Sequence, residues 1–351
     1  MSHHATYIVT GGAGFIGANL VAELLHRQPV AHVVVIDNFR SGSVENIMAA
    51  CARRSVGAFA GTILPCSTAA LDWDMVLERY EPSVVFHLGA ITDTTLNDEA
   101  EMFRENLGGF ERLLALVGES RRHGCPVRLV YASSAGTYGA PPQAATREPF
   151  PESAAGQPRN VYGMSKWLME AAHRRAAERD EALPVIGLRY FNVFGPGEAR
   201  KGAMASMIYK LARRLLDGQP PRLFADGSQA RDQVAVADVV ECTLAAGGLA
   251  GGLARPPKPG VYNVGSGRAV SFNQIVDCLR EALGIPPDRL PTEYFEMPAS
   301  VRAYYQDYTR ADIAAAALGL GWSPRVAPLE AVAQYALWIR SQGRPVGERP
   351  V

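Results

Sequence analysis

Tyr162 and Lys166 stand four positions apart as Tyr-x-x-x-Lys, inside a segment, Val161 to Arg179, whose pattern predicts a helix. At that spacing both side chains share one helix face. About one strand–helix unit earlier, Tyr131-Ala132-Ser133-Ser134-Ala135 closes an apolar run that reads as a buried strand. A hydroxyl, a phenol and an ammonium are what hydride transfer on an alcohol requires. A free tyrosine, with a pKa of ~10, is a poor base at neutral pH. A neighbouring ammonium favours the phenolate, so that Tyr162 could take the alcohol proton as hydride leaves. Ser134, in preference to Ser133, would hydrogen-bond the same oxygen. Tyr-x-x-x-Lys alone is also an ordinary surface pair, and the serine at the strand end is what raises it above that.

A hydride needs an acceptor, and the N-terminus offers a place for one. Thr10-Gly11-Gly12-Ala13-Gly14-Phe15-Ile16-Gly17 lies between a predicted strand and a predicted helix. Gly11, Gly14 and Gly17 suit a tight turn, a close approach to a pyrophosphate and close helix–strand packing. Phe15 and Ile16 open the helix, whose N-terminal N–H groups attract an anion. Asp37 ends the second strand 20 positions after Gly17, where a carboxylate can accept hydrogen bonds from adenosine ribose. It would repel a 2′-phosphate and so favours NAD, while Arg40, beyond Asn38, could soften that preference towards NADP. Gly89 and Ala90 after the next strand would pass beneath the cofactor. Lys166 would also hold its ribose, whereas His87 reads as a packed strand residue.

The elements that must position these groups alternate. Tyr7–Thr10, His32–Ile36, Val84–Leu88, Val127–Ala132 and Val185–Phe191 read as strands. Phe15–Arg27, Trp73–Tyr80, Phe103–Arg122 and Val161–Arg179 read as helices between them. That order predicts an α/β fold with a doubly wound parallel sheet, the Rossmann arrangement, whose ligands gather at the carboxyl edge. Beyond Asn192 the pattern loosens. Ala203–Leu216 reads as a helix, Val234–Val236 as a strand returning to the sheet and Asp238 as a helix cap. Val261–Val264 reads as a strand, Ser271 to Gly284 as a helix, Gly247–Gly260 as a surface loop and Ser341–Val351 as a frayed tail. The division expected is a dinucleotide-binding domain of residues 1–192 and 233–264 and a smaller α/β substrate domain of residues 193–232 and 265–351.

Bulk properties exclude several classes. The 351 residues carry 35 basic and 35 acidic side chains, with no basic concentration that suggests nucleic acid. Arg121-Arg122-His123 and Arg213-Arg214 read as solvated helix faces. Five scattered cysteines form no CxxC pair, against disulfides and a metal site. No apolar run approaches the ~20 residues of a membrane span, and no export segment precedes Tyr7. A cytoplasmic protein is expected.

Taken together, Gly11 to Gly17, the trio Ser134, Tyr162 and Lys166, and Arg189-Tyr190-Phe191-Asn192-Val193-Phe194-Gly195-Pro196 resemble the extended short-chain dehydrogenase/reductases. Within these, Gly195-Pro196-Gly197-Glu198-Ala199-Arg200-Lys201-Gly202-Ala203-Met204-Ala205-Ser206 is most similar to the ADP-L-glycero-D-manno-heptose 6-epimerases. The resemblance runs from Tyr7 to about Ile339. It implies a nucleotide-sugar epimerase that oxidises and re-reduces one sugar carbon with bound NAD or NADP. It also implies that Lys201 is a second acid/base opposite Tyr162, although by residue type alone a solvent-exposed loop charge is equally open. Asn192, Phe224, Arg231 and Tyr305 fall on substrate-contacting positions, as do Ala203 and Lys210, where the family carries serine and histidine. Asn106 matches a cofactor-side asparagine, and Val44 stands where the family has a lysine for the 2′-phosphate of NADP.

These departures leave the sugar, the nucleotide base and the NAD/NADP choice open. A UDP-hexose or UDP-uronate 4-epimerase on the same scaffold is the alternative. A 4,6-dehydratase is disfavoured, because Ser134-Ala135-Gly136 lacks the Asp-Glu pair such enzymes carry. A non-catalytic NAD(P)-sensing module is a third reading, against which stand both Tyr162 and Lys166. A homo-oligomer is expected by family likeness. The apolar face of Phe103–Arg122 would serve equally as an interface or as core.

Overall fold

The computed structural model describes residues 5–124, 126–250, 255–298, 302 and 305–343. Strands β1 (Thr6–Thr10), β2 (His32–Ile36), β3 (Thr62–Leu64), β4 (Val84–His87), β5 (Arg128–Ser134), β6 (Val185–Tyr190) and β10 (Gly260–Val264) form one sheet. Its order is β10-β6-β5-β4-β1-β2-β3, and every pairing is parallel. Runs such as Val33-Val34-Val35-Ile36 are buried on both faces, which is why they are continuously apolar rather than alternating. Helices α1 (Phe15–Arg27), α2 (Val44–Arg53) and α9 (Val236–Ala246) cover one face. Helices α3 (Trp73–Tyr80), α5 (Gly109–Arg122) and α7 (Val161–Ala177) cover the other.

The strand order reverses at β1, which lies between β2 and β4. Connections leave β1 in opposite directions, and the crevice so formed at the carboxyl edge is where ligands of such sheets bind. Register makes this concrete. Thr10 pairs with His87 and Ser134 with Tyr190, so the loops after β1, β4, β5 and β6 emerge along one rim.

The chain past Tyr190 builds two smaller sheets, β11-β9-β7 and β12-β8. Their strands are β7 (Asn192–Phe194), β8 (Arg222–Phe224), β9 (Ala230–Ala235), β11 (Ala269–Ser271) and β12 (Glu293–Phe295). A second core gathers α8 (Met207–Leu216), α10 (Phe272–Leu283) and α12 (Pro328–Gln342). Ser271 caps α10 with a full capping box and Gly284 ends it in the left-handed region, as that stretch of sequence predicts.

Several expectations are revised. The strand at Val234 does not return to the large sheet; it belongs to β9, paired with β7 and β11. Asp238 is not the helix cap, because α9 starts at Val236; its carboxylate instead accepts the N–H groups of Arg325 and Val326. Helix α11 (Ala314–Leu320) returns to the first core through Ala316 and Leu320, so packing does not divide at residue 265. The helix expected from Ala203 starts only at Met207, because Ala205 and Ser206 are extended and separate a 3₁₀ turn, Ala199–Met204, from α8. Arg213 is buried rather than solvated and donates to the Gly343 carbonyl. The apolar face of α5 is core: Phe110, Leu113 and Val117 are fully buried. The tail beyond Gly343 and residues 251–254 of the expected loop lie outside the described residues.

A buried ion pair joins α7 to the sheet. Arg189 on β6 donates from Nε and Nη2 to the two carboxylate oxygens of Glu170, at 2.8 and 2.7 Å. Both residues are buried. Removing one partner strands a charge and costs about 3–5 kcal/mol, whereas an apolar replacement of both can be near neutral. Glu170→Ala is expected to lower the unfolding free energy from urea titration by that amount, and the Glu170→Leu/Arg189→Met double variant to recover more than half of it in the same titration.

Candidate active site

Ser133 and Ser134 end β5 with side chains on opposite faces, as strand alternation requires. Ser133 Oγ donates to Glu170 at 2.5 Å and is buried away from the rim. Ser134 Oγ accepts the Gly136 N–H at 3.1 Å and lies close enough to the Tyr162 phenol to lower its pKa. Asn160 caps α7, its Oδ1 accepting from Gly163 at 2.7 Å, and this cap fixes the first turn that carries Tyr162.

One turn further on, Lys166 is buried beneath the rim, its Nζ 6.0 Å from the Tyr162 ring centre. It donates one proton to the Ala132 carbonyl at 2.9 Å and approaches the Met169 sulfur at 3.7 Å. Burial lowers its pKa to about 7. Burial likewise raises Tyr162, against the lowering effect of Ser134. Tyr162 itself is only half-buried, open on the rim side. His87 is a packed strand residue, as its sequence context predicts: buried between Trp73 and Phe110, with its pKa lowered to about 3, it stays neutral.

The glycine loop lies alongside. Gly11 has φ 64°, and a Cβ there would sit 2.8 Å from the Gly89 Cα, so the loops after β1 and β4 touch through bare backbone. A side chain at Gly17 would run into the Gly11 carbonyl oxygen, which explains the last glycine of the motif. Gly14 caps α1 without any side-chain bond, with Phe15 and Ile16 in the first turn. Asp37 accepts the N–H groups of Ala13 at 2.9 Å and Phe39 at 2.8 Å. Its pKa is raised by burial, which these two bonds oppose. Asn38 accepts the Arg40 N–H, and Arg40 pairs with Glu101. Val44 opens α2 and is exposed.

A dinucleotide fits this arrangement. The loops make a cradle with no side chain between them, and a buried ammonium with one oxygen partner aims at the same rim.

Asn106 lies buried behind the rim. The helix expected over Phe103–Arg122 contains a π-helical turn, Arg104–Gly108, after α4 (Glu99–Phe103), and the turn points Asn106 inward. Its Oδ1 accepts from Ile91 at 2.7 Å, and its Nδ2 donates to the Ile91 carbonyl and to Ser165. It therefore braces the loop that carries Gly89 and Ala90 against α7, one layer behind the rim.

The substrate-side residues fall into two groups. Lys201 stands over the Phe15 ring at 5.4 Å, against the cofactor loop. Beneath it Glu198 is fully buried, and Lys210 donates to the Ala203 carbonyl at 2.6 Å. Lys201 is pushed down by burial, raised by Glu198 and lowered by Lys210. In the second group Phe224 meets Tyr305 edge-on at 5.7 Å, and the Arg231 guanidinium lies 4.7 Å from the Tyr305 ring centre. Arg231 is buried, with no carboxylate within 4 Å among the described residues. Asn192 is exposed at the start of β7. Glu170, Arg189 and Glu198 were not anticipated; the only signal for Glu170 is its position one further turn along the Tyr162–Lys166 face.

A parallel sheet with a glycine cradle and a Ser/Tyr/Lys cluster at its carboxyl edge defines a nicotinamide-dependent enzyme of the Rossmann type. The chain belongs to the NAD dependent epimerase/dehydratase family, whose model matches residues 7–265. An ADP-L-glycero-D-manno-heptose-6-epimerase of Cupriavidus pinatubonensis is 34% identical, over 97% of this chain and 100% of the relative. One from Alkalilimnicola ehrlichii is 37% identical, over 87% and 88%. The crystal structure of the Helicobacter pylori ADP-L-glycero-D-manno-heptose-6-epimerase superposes with a TM-score of 0.80 at 30% identity, covering 96% of this chain and 97% of that one. UDP-glucose 4-epimerase of Thermotoga maritima gives 0.78 at 28%, covering 96% and 99%.

Lys166 yields a pH prediction. A lysine whose folded pKa is depressed from 10.5 to about 7 binds fewer protons folded than unfolded between those values. Its contribution therefore becomes more favourable as pH rises through that window. Lys166→Met should be more stable than the cofactor-free wild type at pH 6, and thermal melts should show this margin shrinking as pH rises towards 10.

Proposed function

We propose that the chain is a nucleotide-sugar epimerase that inverts C6 of an ADP-linked glycero-manno-heptose by transient oxidation and re-reduction. The observation that carries this reading is the gathering of Ser134, the Tyr162 ring and a buried Lys166, whose Nζ lies 6.0 Å from that ring, beside a backbone-only cradle. The relatives point to the sugar.

Bound NAD supplies the acceptor to which a hydride leaves the sugar carbon and the donor from which it returns. Asp37 at the end of β2 and Val44 in place of a lysine favour NAD over NADP. Gly11, Gly14, Phe15, Ile16 and Gly17 hold its pyrophosphate, with Asn38 and Arg40 flanking the ribose and Gly89 and Ala90 passing beneath. Tyr162 takes the C6 hydroxyl proton as the C6–H bond breaks, leaving a ketone at C6. Ser134 holds that oxygen throughout. Lys166, half-charged near neutrality, donates to ribose hydroxyls and stabilises the phenolate. The ketone then presents its other face. As hydride adds back, Lys201 returns a proton to the oxygen. Arg231, a buried cation awaiting an anion, meets the diphosphate, while Phe224 and Tyr305 flank the nucleotide. Asn192, Ala203 and Lys210 line the sugar end, and the last two, differing from the relatives' pattern as they do, bear on sugar choice.

The test is incubation of purified protein with an ADP-glycero-manno-heptose, no cofactor added, followed by assignment of C6 configuration by NMR. Both epimers should appear from either starting isomer. Turnover of UDP-glucose instead would move the reading to a UDP-hexose 4-epimerase. Tyr162→Phe and Lys201→Met should each lower kcat about 10²–10⁴-fold, with NAD still released on denaturation. Full activity in Lys201→Met would remove the second acid/base from the scheme.

A further inference from the structure

The turn between β10 and β11 and the segment leading to α11 close around a pocket of about 560 Å³. Its lining includes Arg147, Arg268 and Arg310 and no carboxylate. None of the three has a carboxylate within 4 Å among the described residues. Asp226, exposed on a neighbouring turn, acts on Arg147 through space. Arg268 and Arg310 face the pocket with no carboxylate in its lining, Arg147 borders it from the side of Asp226 and Asp307, and an anion stabilises guanidinium groups so gathered.

We infer that this pocket binds a phosphate-bearing small molecule at a place separate from the catalytic rim. The separation is built into β9: Ala230 lines the pocket, and its neighbour Arg231 projects from the opposite face of the strand.

The arginines are mounted on fixed backbone. Asp232, fully buried, accepts the Ser266 N–H and hydroxyl at 2.6 and 2.7 Å and the Gly267 N–H at 3.0 Å, which shapes the turn before Arg268. The same carboxylate accepts the Ala311 N–H at 2.9 Å, the residue after Arg310. One buried acid thus sets the spacing of two arginines. Arg310 Nε donates to the Gly267 carbonyl at 2.9 Å, which orients the guanidinium and leaves its terminal nitrogens to a ligand. Arg147 occupies the left-handed region at φ 57°, with its carbonyl held by the Tyr308 hydroxyl at 2.7 Å.

Helix α10 begins at the same pocket, but its first N–H groups are already bonded to Gln229, Gly227 and Ser271. It contributes dipole only. Planar forks suit phosphate oxygens, and the volume exceeds what a bare ion fills, within the range of small-molecule sites.

The experiment is calorimetric titration of inorganic pyrophosphate into the full chain at low ionic strength. Wild type should show a site that Arg231→Met retains and that Arg268→Gln and Arg310→Gln each weaken about tenfold. Independently of any variant, pyrophosphate should protect Arg268 and Arg310 from phenylglyoxal, read by peptide mass spectrometry. Binding that vanishes in Arg231→Met, binding unchanged in both glutamine variants, or absence of protection would each overturn the site.

Discussion

The Glu170–Arg189 ion pair is the constraint on which the geometry of the rim depends. Tyr162, Lys166 and Glu170 occupy successive turns of one face of α7, and only Glu170 is tied to the sheet by charge. Its carboxylate also accepts Ser133, so helix, β5 and β6 are registered at one point. Arg189 carries the registration outward, through Tyr138 at 3.0 Å and the Glu152 carbonyl at 2.7 Å. Tyr138 then donates to Asn263 on β10 at 2.7 Å. A buried pair of this kind adds little net stability, because desolvating two charges offsets most of their attraction. What it does supply is position: a slide of α7 by a fraction of a turn would leave both charges unmet.

Position matters because the chemistry above rests on opposed tendencies. Burial favours neutral Lys166, which is almost wholly enclosed, and to a lesser degree neutral Tyr162, which is half-buried. Each could leave that state only through a charge placed close to the other. An ammonium near neutrality changes protonation with small shifts in its surroundings, and so serves better beside a changing charge than a fully ionised one. His87, the nearest alternative proton carrier, is removed from the exchange by its own burial.

Much of this was legible in the sequence. Parallel strands announce themselves by unbroken β-branched runs. Gly11, Gly14 and Gly17 each answer a backbone requirement, and Tyr162 with Lys166 needs only helical spacing. What could not be read were features set by tertiary contact. Asn106 turned inward through a π-helical turn that leaves no periodicity signal. Strand β9 changed sheets because its partners, β7 and β11, are too short to be recognised by pattern. Asp238 looked like a helix cap, yet served a loop almost ninety residues away. The pairing of Glu170 with Arg189 leaves no sequence signal, since nothing local reports that two distant charges meet in the interior.

The loop from Gly195 to Ser206 poses the same problem in another place, since it must hold Lys201 against a cradle built by the other end of the chain. Glu198 solves it with a buried carboxylate that accepts Gly195 at 3.1 Å, the Ser206 N–H at 2.6 Å and the Ser206 hydroxyl at 2.9 Å. Asn19 on α1 then donates to the Pro196 carbonyl at 3.0 Å, fastening the loop beside Phe15. An unpaired buried acid is costly, yet three donors and two nearby lysines make ionisation tolerable here. Burial lowers the pKa of both lysines, Lys210 adds to the lowering of Lys201, and Glu198 raises both. Both sides of the crevice therefore follow one rule: a buried acid, bonded to backbone or to an arginine, fixes the element, and an amine left short of partners faces the rim.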